Sequence, residues 1–139
     1  MNKFILIVFV LLLGSCKNIH ERKLIGLYTI DNVAFQNNSI LHSLGANMIK
    51  FSKDGTCDLP KIRLDESLNT EENYGTWCID RQDTTIIINS EHTVLSGKFN
   101  LSFKKDHNNK LLQIVLKNED LHMTASKMLQ NFDLNKNNW

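Results

Sequence analysis

Residues 98 to 104, Lys98-Phe99-Asn100-Leu101-Ser102-Phe103-Lys104, decide the fold class. Three large apolar side chains alternate with four polar ones, the period of two that a strand with one buried face requires. Phe99, Leu101 and Phe103 are predicted to point inward, and Lys98, Asn100, Ser102 and Lys104 to face water. Residues 106 to 109 then supply turn chemistry, and Leu112, Ile114 and Leu116 mark one face of a second strand, so the two segments form a hairpin. After a further turn at Asn118-Glu119-Asp120, Leu121, Met123 and Ala125 alternate with His122 and Thr124.

The same pattern extends toward the N-terminus. Lys53-Asp54-Gly55 separates a segment carrying Ile49 and Phe51 from residues 56 to 62, and Arg81-Gln82-Asp83 precedes the β-branched run from 84 to 88. Eight strands are expected, at about residues 24 to 33, 46 to 52, 56 to 62, 73 to 80, 84 to 89, 94 to 104, 110 to 117 and 121 to 127. Short connections favour antiparallel neighbours, and eight meandering strands best remove their exposed edges by closing. The fold class is therefore all-β, an up-and-down antiparallel meander forming a barrel. Residues 34 to 45 break the rhythm, with Ile40, Leu41 and Leu44 spaced for a short helical turn that could lie as a lid over one open end. Residues 63 to 72, with Asp65, Glu66, Glu71 and Glu72, read as a solvated acidic loop.

Two glycine-x-aromatic sequences, Gly26-Leu27-Tyr28 and Gly75-Thr76-Trp77, recur along these strands. Glycine permits a close backbone approach, and the aromatic two positions on shares its face and can plug the narrow end of a small barrel. Leu24-Ile25-Gly26-Leu27-Tyr28 resembles the LxGxW opening of lipocalin-like domains, with tyrosine in place of tryptophan. Ile49-Lys50-Phe51 followed by Asp54-Gly55 is similar to the second-strand hairpin of small lipocalin-like lipoproteins of Bacteroidota. The resemblance covers about residues 24 to 127 and implies a lipocalin-like barrel.

The N-terminal sequence MNKFILIVFVLLLGSC carries an address. One lysine precedes ten apolar residues, too few for the ~20 of a membrane-spanning helix, and Leu13-Gly14-Ser15-Cys16 has the form of a lipoprotein cleavage site. Residues 1 to 15 are expected to be a signal peptide, Cys16 the lipidated first residue, 16 to 23 an anchor and linker, 24 to 127 the barrel domain and 128 to 139 a C-terminal tail. This places the domain in the bacterial envelope, at the outer membrane. Of 16 basic and 15 acidic side chains the signal segment holds only Lys3, so residues 16 to 139 are charge-balanced, and no basic cluster suggests a nucleic-acid partner.

Cys57 and Cys78 remain for an oxidising compartment. If the third and fourth strands pair across the acidic loop, the two could face each other as a disulfide; the alternative is two separate buried thiols. The five histidines show no metal-ligand spacing and read as surface residues, and no nucleophile elbow, phosphate loop or calcium loop is present. Neither catalysis nor a cofactor is expected. Two functions stay open: a binding module for a small apolar molecule, or a packed barrel that serves as an interaction or structural platform for another envelope protein. In the first, the ligand would lie among the inward faces of Tyr28, Phe51, Trp77, Phe99, Leu101, Phe103, Ile114 and Leu116.

Overall fold

In the computed structural model, which describes residues 19 to 63, 73 to 80 and 84 to 129, the alternating segments pair into one antiparallel sheet closed on itself. A short helix, α1 (Ile19–Leu24), leads into β1 (Gly26–Phe35). There follow β2 (Asn38–Ser39), β3 (Met48–Phe51), β4 (Thr56–Asp58), β5 (Tyr74–Asp80), β6 (Thr85–Ser90), β7 (Gly97–Asp106), β8 (Leu111–Lys117) and β9 (Leu121–Met128). Each strand from β3 to β9 pairs with the next, and β1 closes the circle between β3 and β9, giving an eight-stranded barrel with β2 appended. Residues 1 to 18, where the signal peptide and Cys16 are expected, the expected acidic loop from 64 to 72, the expected turn at 81 to 83 and the expected tail from 130 lie outside the described residues.

The turns form where the sequence carries turn chemistry. Asp54 accepts hydrogen bonds from the Thr56 amide and hydroxyl, Asp106 from the amides of Asn108 and Asn109, and Asn118 from the amides of Asp120 and Leu121. Gln36 and Asn37, both at positive φ, make the two-residue turn between β1 and β2. The predicted lid region thus begins as a β-hairpin and ends in a single 3-10 turn at Leu41–Ser43, with Ile40 buried.

β1 can serve two partners because it bends. Its lower half pairs with β3 and its upper half with β9, and the β9 register slips at Asp31, a bulge that puts Asp31 and Asn32 both outside. The buried set accordingly switches from Tyr28 and Ile30 to Val33.

Inside, Phe99 and Leu101 of β7 are buried while Lys98, Asn100, Ser102 and Lys104 are exposed, so the register read from the sequence holds. Phe103 is half-buried at the barrel end where α1 sits. Its ring stacks on His20, 5.5 Å between centroids, with the Lys23 ammonium 5.7 Å away on its face. Tyr28, Phe51 and Trp77 form an edge-to-face chain across the interior, at 6.2 Å and 5.7 Å.

Residues 19 to 23, expected as linker, and Leu24, expected to open the first strand, are α1 and belong to the barrel. His20 and Leu24, four apart, share its inner face, and Leu24 is fully buried. Lys127 holds the helix end by donating from its Nζ to the carbonyls of Lys23 and Ile25, both at 2.7 Å, and the Tyr28 hydroxyl donates to the Lys23 carbonyl. At the other boundary β9 runs to Met128, and Leu129 is buried.

The disulfide does not form. Cys57 lies opposite Gly75 on β5, three residues short of Cys78, and an odd offset places the two cysteines on opposite faces of the sheet. Cys57 is buried and Cys78 exposed, both as free thiols.

Candidate functional site

Every inward residue named as a candidate ligand contact, except half-buried Phe103, lies in the core. Tyr28, Phe51, Ile114 and Leu116 are 0% exposed and Phe99 is 1%. A side chain bordering a void large enough for water would retain accessible surface, so among the described residues these faces meet one another rather than a hollow. Ile40, Leu59, Ile62, Val94 and Leu95 are buried beyond the strand ends opposite α1. The interior is a hydrophobic core.

A concavity lies on the outside, where the wall between β3 and β4 parts. The ladder there pairs Phe51 with Cys57 and Lys50 with Asp58. Its next hydrogen-bonded pair would set Met48 against Pro60, which has no N–H to donate. The expected strand from 56 to 62 therefore stops at Asp58. Beyond it the chain resumes pairing in a shifted register, through the Leu44 and Ile62 bridge, the Gly45 amide on the Lys61 carbonyl (2.7 Å) and the Arg63 amide on the Ser43 carbonyl (2.9 Å). Between the two ladders a groove of about 690 Å³ opens. Leu27 and Met48, outward-facing and about half exposed, line one side, with Leu59, Pro60 and Ile62 on the other. Among the described residues, Lys50, Lys61 and Arg63 border it together with one carboxylate, Asp58.

The Pro60 wall is held by His92. This residue, expected at the surface, is 2% exposed in the loop between β6 and β7. Its Nε2 donates to the Pro60 carbonyl at 2.8 Å, and its Nδ1 accepts from the amides of Val94 (3.2 Å) and Leu95 (3.1 Å). These partners fix the neutral tautomer, and burial pushes the imidazole below its ordinary value despite the opposing pull of the Pro60 carbonyl. His92 is a clamp between two loops, with both ring nitrogens engaged.

Elsewhere, burial foremost, with the neighbouring Asp58 carboxylate, pushes the Cys57 thiol up to about 11, so it stays protonated at neutral pH. His42, His107 and His122 are exposed and far apart in the chain.

Sequence reading placed the binding surface inside and missed the groove. Two signals mark it: a proline within an otherwise strand-like run, and large apolar residues, Leu27 and Met48, at outward positions of alternating strands. Comparison with known protein families, curated proteins and solved structures finds no match for this chain.

Proposed function

We propose that this chain is an envelope lipoprotein, tethered through Cys16 at a bacterial outer membrane, whose lipocalin-like barrel binds a small amphipathic molecule in the wall groove rather than in its interior. The supporting observation is the groove itself: apolar side chains at Leu27, Met48, Pro60 and Ile62, with three cations against a single carboxylate among the described residues. An apolar body would cover Leu27 and Met48, and an anionic head would meet Lys50, Lys61 and Arg63. Nothing in this reading requires catalysis or a cofactor.

Anilinonaphthalene sulfonate, an apolar dye with one negative charge, is a suitable probe. Met48→Glu should weaken its binding at least ~10-fold, because a carboxylate would then have to be desolvated beside a second anion, while thermal stability stays near wild type since Met48 is half exposed. Unchanged dye binding in this variant places the ligand elsewhere.

The near-zero exposure of the interior favours a second reading, a packed platform for another envelope protein. In that case no small molecule co-purifies in native mass spectrometry, and Met48→Glu reduces cross-linking to a protein partner instead.

A further inference from the structure

The barrel end that carries α1 differs in chemistry from the rest of the surface. Antiparallel order brings the start of β1 and β8 and the end of β7 and β9 to this end. Arg22 and Lys23 lie in the last turn of α1, Lys104 and Lys105 in the last stretch of β7, Lys110 just before β8 and Lys127 near the end of β9. Among the described residues, the carboxylates at the same end are fewer: Glu21, Asp54, Asp80 and Asp106. Of these, Asp106 is occupied with its own turn and Asp80 lies 3.8 Å from Lys98. Two of these cations are close enough to feel one another, since the Lys23 ammonium is destabilised by burial first and by the Lys105 charge second. Two apolar side chains stand out of this end into solvent, Ile19 at 52% and Met128 at 72% exposure.

The chain enters here from its apolar N-terminal segment. Cys16 precedes Ile19 by three residues, which span at most ~10 Å. That reach is about one Debye length at physiological ionic strength, so an anchor at Cys16 would hold the cationic end within range of headgroup charge at high effective concentration. We propose that the α1 end of the barrel is a docking face for the anionic phospholipid surface that holds the anchor, with Arg22, Lys104 and Lys110 meeting headgroups and Ile19 and Met128 entering the interface. This inference rests on the lipidation of Cys16 proposed above. Docked this way, the barrel turns residues 59 to 63 and the His92 clamp away from the membrane.

The test uses the lipidated full chain in vesicles of phosphatidylcholine, with or without phosphatidylglycerol, and follows acylation of individual lysines by mass spectrometry. Phosphatidylglycerol should slow acylation of Lys104 and Lys110 at least ~5-fold while leaving Lys61 unchanged, and high salt should abolish the difference. At about five-fold per cation, Arg22→Gln/Lys104→Gln/Lys110→Gln should weaken docking on the order of 100-fold, read as lost protection elsewhere on the face, at Lys105 and Lys127, while the protein still floats with the vesicles. Equal acylation in both vesicle types overturns the docking face. Equal protection without phosphatidylglycerol assigns the contact to Ile19 and Met128 alone and overturns the charge argument. Flotation with phosphatidylcholine vesicles judges the anchor separately, because Cys16→Ser should abolish it. If wild-type protein fails to float there, the anchor reading falls. Salt-sensitive binding to phosphatidylglycerol vesicles, lost in the triple variant, would then still establish the face; no binding overturns both.

Discussion

At the scale of single residues, two buried polar groups have opposite consequences. His92 satisfies both ring nitrogens only while neutral, because protonating Nδ1 would set a third donor against the amides of Val94 and Leu95. Its pKa in the fold lies below the ordinary 6.5, so between the two values the unfolded chain binds more protons. Its contribution to stability is therefore complete above about pH 6.5 and is lost as pH falls through the folded value. Thermal melts should show a fall in midpoint below that pH, and His92→Gln should flatten this part of the profile; an unchanged slope would show that another group titrates. Thr85, 4% exposed, is the contrary case, since its hydroxyl finds no hydrogen-bond partner among the described residues. Thr85→Val keeps the shape and removes an unpaired polar atom, so denaturant unfolding should report a change between zero and ~1 kcal/mol of added stability. On β7, Phe99→Ala should cost ~3 to 5 kcal/mol and Asn100→Ala little, as one side chain is core and its neighbour faces water.

At the scale of elements, register decides what neighbouring strands can do. The pairing of Cys57 with Gly75 leaves Cys78 on the outer face, where a thiol reagent should modify it in the native protein. Cys57, fully buried and with its pKa pushed up to about 11, should react only at the rate of unfolding. One fast and one slow thiol is the expected titration, and zero fast thiols in oxidised protein would argue for a bond and a different register. Gly75 also explains why the glycine-x-aromatic pattern sits on β5. A Cβ there would fall 2.7 Å from the Asn89 carbonyl oxygen and 2.9 Å from the Ser90 Cβ, so Gly75→Ala should destabilise by ~1 to 3 kcal/mol, measured by urea unfolding. Gly26 plays its part differently, through a φ of +141° at the point where α1 hands over to β1.

At the scale of the whole molecule, the barrel assigns separate tasks to its parts. The interior supplies stability through apolar burial, the parted wall between β3 and β4 supplies a recessed surface, and the α1 end carries positive charge beside the point of chain entry. A core variant and a groove variant should therefore separate cleanly. Phe99→Ala should lower the melting temperature while the folded fraction still binds the anionic dye, whereas Met48→Glu should do the reverse. If both variants lose dye binding in proportion to stability, the groove does not hold the dye as a distinct site.

The strands, most turns and the inward face of β7 were legible in the sequence because alternation and turn chemistry are local properties, set by a residue and its near neighbours. The closing of eight strands also followed, since short antiparallel connections leave few other ways to cover two edges. Tertiary structure alone decided the register of β4 against β5, which separates the cysteines, because a pairing offset depends on the path of the loop between strands. It decided the fate of residues 19 to 24, whose six positions become helix only with Phe103 to stack on and Lys127 to cap them. It also made His92 a buried clamp and Pro60 the edge of a groove. The helix and the clamp each depend on a partner more than thirty positions away, and the groove on a hydrogen bond that proline cannot make, and no local pattern records any of these.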